Sequence, residues 1–169
     1  MFDIESQLST HRKFAGCATA RNGLIIMAPE NADAVGVFDV ISRTFRLVDI
    51  SLDEARNNKF RGAIASEDSD LVYFVPHSAD GVGVFDAATL SFTLVSIAAV
   101  TTMNAKYDGG VLTEHGLVFA PSKEDAIGIF NTTSLEESLP AIRTYAPGVT
   151  HPHLRFMILP TCMHAVFFS

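Results

Sequence analysis

The sequence predicts an all-β fold built from a repeated, four-stranded antiparallel unit. Three observations predict it: a motif that recurs about every 46 residues, short segments rich in Val, Ile and Phe, and turn-forming residues between those segments. Apolar residues make up 48 % of the chain and charged residues 18 %, a balance that folds around a core. At roughly 100 to 200 residues per domain, the 169 residues suit one domain spanning 1–169.

Three segments open alike: Lys13-Phe14-Ala15-Gly16, Lys59-Phe60-Arg61-Gly62 and Lys106-Tyr107-Asp108-Gly109, with starts 46 and 47 residues apart. Each leads through a turn into an apolar run ending in Pro29, Pro76 or Pro121. Nine residues after each proline stands Phe38, Phe85 or Phe130, within Val35-Gly36-Val37-Phe38-Asp39, Val82-Gly83-Val84-Phe85-Asp86 and Ile127-Gly128-Ile129-Phe130-Asn131. This spacing defines repeats 13–58, 59–105 and 106–143. A shortened fourth copy, 144–169, follows if Thr144 and Tyr145 are aligned with Lys106 and Tyr107. Residues 1–12 fit the end of a preceding repeat, because Ile4, Ile50 and Ile97 each lie nine residues before a motif lysine. The chain is therefore expected to start inside one repeat and stop inside another. Alternatively, Phe2 to Leu8 would supply a closing outer strand.

Within the first copy, Phe14 to Ala20 opens the unit. Leu24 to Ala28 is apolar throughout, as a strand covered on both faces requires, and is too short for a helix. Ala34 to Asp39 follows, and Thr44 to Ile50 places Phe45 and Leu47 on one face with Val48 and Ile50 on the other. The separators are mostly turn chemistry, such as Arg21-Asn22-Gly23 and Pro29-Glu30-Asn31-Ala32-Asp33. Leu52 to Asn57 is the one place where a helical turn is expected.

Four short antiparallel strands in about 46 residues resemble one blade of a β-propeller of the kelch/WD40-like superfamily. The chain departs from the standard blades: it has no Trp and no Gly-His to Trp-Asp pair, and only Gly109-Gly110 offers a kelch-type doublet. The resemblance implies blades around a central channel and a loop-bearing face that hosts binding. With about 3.5 to 4 repeats the ring is expected to be incomplete. Its end blades would then expose Phe14, Ile25 and Met27 on one side and Phe156, Ile158 and Phe167 on the other. Such faces invite self-association or a protein partner.

Recurring positions are read first as geometry. Gly36, Gly83 and Gly128 allow a ring or backbone to approach mid-strand, Phe38, Phe85 and Phe130 fill the space between blades, and Asp39, Asp86 and Asn131 cap turns. Lys13, Lys59 and Lys106, with Arg143 beside Thr144 of the fourth copy, would stand near the channel mouth and could bind a small anion. The alternative for these lysines is a solvated stem or a pair with a neighbouring acid. The reading for function is a non-enzymatic binding or scaffold module for a protein or small anionic ligand. Two others compete: a metal-assisted, lactonase-like hydrolase or isomerase using channel carboxylates, and an inactive fragment of a larger propeller.

No cofactor or metal is expected. His151 and His153 supply too few ligands, Gly81-Val82-Gly83-Val84 reads as strand, and no catalytic motif appears. The net charge of −7 argues against nucleic acid. The longest apolar runs, such as Leu71 to Val75, fall far short of a membrane span. The acidic start lacks a signal-peptide pattern, so a soluble, intracellular protein is expected. Cys17 and Cys162 are expected reduced and buried, and Asn131-Thr132-Thr133 is expected to be a loop.

Overall fold

A computed structural model of the chain describes residues 2–132 and the backbone of 142–145. It contains three antiparallel sheets of four strands each, and no helix among the described residues. The first blade is β1 (Phe14–Thr19), β2 (Ile25–Pro29), β3 (Ala34–Asp39) and β4 (Thr44–Asp49). The second is β5 (Phe60–Ala65), β6 (Leu71–Pro76), β7 (Gly81–Asp86) and β8 (Ser91–Ser96). The third is β9 (Tyr107–Thr113), β10 (Gly116–Pro121), β11 (Ile127–Phe130) and β12 (Ile142–Tyr145). Each sheet pairs its strands in chain order, and the inner strand β5 contacts both β1 and β9. Among the described residues the array is propeller-like without a closed ring.

The recurring residues build this geometry. In every blade the ladder between the first two strands shifts register across the motif's third and fourth residues, so Ala15-Gly16, Arg61-Gly62 and Asp108-Gly109 each form a bulge. Gly16, Gly62 and Gly109 have φ of +93°, +110° and +106°, the left-handed region where a side chain is strained. A Cβ on Gly16 would stand 3.0 Å from Gly62 Cα, and one on Gly62 3.3 Å from Gly109 Cα. The inner strands thus approach backbone to backbone. In mid-strand, a Cβ on Gly36 would lie 2.9 Å from the Phe14 ring and one on Gly128 2.8 Å from Tyr107. These glycines make room for the motif's aromatic residue.

Asp39 Oδ1 accepts from the amides of Ile41 and Ser42, and Asp86 Oδ1 from those of Ala88 and Thr89, closing the turns before β4 and β8. Hydrogen bonding by Ser42 and these amides holds the Asp39 carboxyl below its ordinary range. Between blades lie two apolar seams. Phe60, Val72, Phe74 and Phe85 of the second blade pack on Ile26, Ala28, Val35 and Val37 of the first. Tyr107, Leu117, Phe119 and Phe130 of the third pack on Tyr73, Val75, Val82 and Val84 of the second. Phe38, behind which no blade stands among the described residues, is half-buried and meets Phe2 edge-on at 5.3 Å.

Three expectations are corrected. Thr144 and Tyr145 do not begin a fourth unit: they belong to β12, where Gly128 pairs with Thr144 as Gly36 pairs with Leu47 and Gly83 with Leu94. Residues 131–141 replace the short turns 40–43 and 87–90, so an insertion had mimicked a shortened repeat. The rest of the expected fourth copy, including Phe156, Ile158, Phe167, the two histidines and Cys162, lies outside the described residues. Phe2 to Leu8 is not a strand, because the Ile4 carbonyl accepts from Gln7 and Leu8 as Ile50 does from Asp53 and Glu54, and Ile97 from Val100 and Thr101. Residues 3–13 thus have the form of an inter-blade connector. The helical turn expected at Leu52 to Asn57 appears as a single i to i−4 turn closed by the Glu54 amide on the Ile50 carbonyl at 2.9 Å. Cys17 is exposed, because it follows the β1 bulge on the inner strand of the end blade.

Candidate functional site: the polar mouth of the inner strands

Each bulge swings the motif's third residue out of its ladder, toward the face that carries the inter-blade connectors. That position is Ala15, Arg61 and Asp108 in successive blades, and the residue after each motif proline is Glu30, His77 and Ser122. These are positions where the copies differ. They assemble into one network: Glu30, only 4 % exposed, accepts from Arg12 and from Arg61 Nε at 3.2 Å. Arg61 Nη1 donates to Asp108 Oδ1 at 3.1 Å, and Ser122 Oγ donates to Asp108 Oδ2 at 2.9 Å. His77 Nδ1 lies 3.0 Å from Asp108 Oδ1 and 3.1 Å from the Tyr107 carbonyl. Both neighbours are acceptors, which assigns the proton to Nδ1. Burial pushes the Asp108 carboxyl up, but Ser122, Arg61 and His77 together outweigh it and hold the group below its ordinary range.

Beside the network lies a cleft of about 490 Å³ whose lining includes Arg56, Asn58, Arg61, His77 and Asn104. Arg56 is fixed by Glu54, by the Ser78 carbonyl at 3.0 Å and by Asp80 Oδ2 at 2.9 Å. A second cavity of about 370 Å³ follows the axis past Ala15, Gly16, Gly62 and Gly109, and Arg61 and Asp108 line it as well. Arg61 therefore faces both spaces. Guanidinium and amide groups make up much of the lining of the larger cleft. Among the described residues, no group of three His, Cys, Asp or Glu stands arranged to hold a metal ion.

The cations expected at this mouth stand elsewhere. Lys59 is fully buried, its Nζ donating to the Arg56 carbonyl at 2.8 Å and to Asp33 Oδ1 at 3.1 Å. Lys106 is also fully buried, its Nζ donating to the Ala79 carbonyl at 2.9 Å and lying 3.6 Å from Asp80 Oδ1. Burial pulls the Lys106 ammonium below its ordinary range, and Asp80 offsets part of that. Each lysine thus ties its blade to a carboxylate of the preceding one and does not reach a dissolved anion. The neighbouring acid in each pair is the one four residues past the proline. Lys13, in the first blade, is only half-buried. Arg143 pairs with Ile129 on β12, the outer strand, in the place of Arg46 on β4. It lies away from the mouth.

An inner strand entered through a bulge, blades stacked on apolar seams and a polar mouth define a propeller-like β fold. Among solved structures the chain is similar to virginiamycin B lyase from Staphylococcus aureus (TM-score 0.65, 14 % identity), covering 84 % of this chain and 44 % of the lyase. It is also similar to hydrazine synthase of Kuenenia stuttgartiensis (TM-score 0.60, 13 % identity, 82 % and 38 % covered). A third is an auxiliary nutrient binding protein from Bacteroides ovatus (TM-score 0.53, 13 % identity, 80 % and 33 % covered). The chain thus spans less than half the length of these structures, and the likeness is one of fold. No protein-family model matches the sequence, and no curated protein matches it either. No helix among the described residues is long and apolar enough to cross a membrane.

Proposed function

We propose that the chain is a non-enzymatic binding module whose polar mouth holds an anionic group, on a small molecule or on an acidic protein segment. One observation carries this reading: two positions at which the copies differ, Arg61 and His77, meet Arg56, Asn58 and Asn104 in one cleft. Positions that only hold blades together recur in every copy, whereas a ligand site on a repeat scaffold needs residues of different chemistry from each unit. The carboxylates of Glu30, Asp80 and Asp108 lie behind the arginines and fix their forks, so a ligand meets preoriented donors.

Isothermal titration with citrate and inorganic phosphate as probes tests the proposal. Saturable binding of at least one probe is expected, weakened about tenfold or more by Arg61→Gln, since a hydrogen bond to a charged group contributes about 1.5 to 3 kcal/mol. Arg46→Gln, an exposed change on β4, should leave binding unchanged. Absence of binding by both probes, or equal loss with both variants, overturns the proposal.

A further inference from the structure

The two seams inside the chain are copies of one interface. At the first, the Lys59 amide donates to the Glu30 carbonyl at 2.9 Å and Lys59 Nζ to Asp33 at 3.1 Å. At the second, the Lys106 amide donates to the His77 carbonyl at 2.8 Å and Lys106 Nζ faces Asp80 at 3.6 Å. Carrying the register one blade backward leads to Lys13. Carrying it forward leads to the Ser122 carbonyl and to Asp125, which follow Pro121 as Glu30 and Asp33 follow Pro29. Among the described residues, neither the amide nor Nζ of Lys13 has a hydrogen-bond acceptor, the Ser122 carbonyl has no donor, and the exposed Asp125 has no cation. Each end of the array carries the half of the interface that the other lacks.

The apolar faces divide in the same way. Phe60, Phe74 and Phe85 are fully buried at the first seam, but their counterparts Phe14, Met27 and Phe38 in the first blade remain partly exposed. Val35 and Val82 are fully buried, but their counterpart Ile127 in the third blade is 47 % exposed, beside the partly exposed Val118 and Ile129. Aromatic rings therefore wait at one end, and a β-branched face of the kind they cover waits at the other.

We propose that a second copy of this chain docks head to tail, its first blade against this chain's third, so that Lys13 of one copy pairs with Asp125 of the other. The seam continues an interface that the chain already forms twice, with complementary charge. Two copies of the three described blades, joined by two such seams, supply six, within the range of roughly 4 to 8 blades that propellers close with.

Sedimentation of the full chain with charge reversals tests this. The wild type should associate at micromolar concentration. Lys13→Asp alone and Asp125→Lys alone each place like charges across the seam and should weaken association on the order of 100-fold. Mixing the two variants in equal amounts makes every seam attractive again and should restore association. That rescue also shows that both variants fold. A wild type that stays monomeric, or association that neither reversal weakens, overturns the proposal, as does a mixture that fails to reassociate while each variant keeps the wild-type circular dichroism spectrum. Neither Lys13 nor Asp125 lines the anion cleft, so failure there leaves this test intact.

Discussion

The seam between the first and second blades and the seam between the second and third share a backbone plan but differ in how completely they satisfy their side chains. The first gathers three phenylalanines of the second blade around a fourth, Phe74, whose ring lies 5.5 Å from Phe60, 6.4 Å from Phe85 and 6.2 Å from Phe92. At its far edge the Asn22 backbone amide donates to Asp70 Oδ1 at 2.7 Å and its Nδ2 to the Ala87 carbonyl at 2.9 Å, while Arg21 donates to the Asp68 carbonyl. The second seam holds one close aromatic pair, Tyr107 and Phe119, at 5.5 Å. Two of its buried atoms, Asp80 Oδ1 and Tyr107 Oη, have no hydrogen-bond partner. Repetition therefore fixes how blades meet, and the side chains set how firmly each meeting holds.

The largest test of this contrast is to remove each lysine's carboxylate. Asp80→Ala strips Lys106 of its counter-charge and frees Arg56, whereas Asp33→Ala affects Lys59 alone, through a side chain that is 61 % exposed. Leaving a buried charge uncompensated is strongly destabilising, so chemical denaturation should show a loss of about 3 kcal/mol for Asp80→Ala and roughly 1 kcal/mol for Asp33→Ala. Equal losses would mean that the seams are energetically alike.

Acid sharpens the same comparison. Burial pushes the Asp80 carboxyl up, but the hydrogen bond and charge of Arg56, with Lys106, outweigh it and hold the group below its ordinary range. A carboxyl depressed in the folded state contributes stability that is present above its unfolded pKa, about 3.9, and is lost as pH falls through the folded value. Asp108 acts in the same direction. Melting temperature measured between neutral pH and pH ~3 should fall below about pH 4, and Asp80→Asn should flatten part of that fall.

The smallest effect concerns Tyr107, which stands where the other copies carry Phe14 and Phe60. Burial, with Glu124 adding to it, pushes its phenol up to about 12. Between pH ~10 and about 12 the folded state holds a proton that the unfolded state releases, so stability declines as pH rises through that window. Tyr107→Phe removes a buried hydroxyl and should stabilise the protein by up to about 1 kcal/mol at neutral pH. It should also weaken the alkaline decline. A clear loss of stability would show that the hydroxyl is satisfied in solution.

Much of the fold was legible because three copies report the same strand. The segments read as Leu24 to Ala28 and Thr44 to Ile50 appear as Ile25–Pro29 and Thr44–Asp49, and the mid-strand glycines do accommodate rings. The register failed where repetition stopped, at the insertion 131–141, which made the outer strand β12 look like a new inner one. The mouth was not read for the opposite reason. Recurrence drew attention to the lysines, which are structural, and away from Arg61, Asp108, Glu30 and His77, which recur in no other copy. The signal was present in the sequence. Between otherwise matching motifs, the bulge position carries Arg61 then Asp108, and Glu30 follows the proline of the blade before them.

The network across the mouth also gives each blade an address. Near-identical neighbouring units risk pairing out of order as a chain folds. Arg61 is matched only when Glu30 stands behind it and Asp108 ahead of it. Exchange of the first and third blades would put Asp108 where Ala15 belongs and leave the buried Glu30 away from Arg61. Shared residues make the blades stackable, and the three unlike side chains at the bulges set the order of stacking.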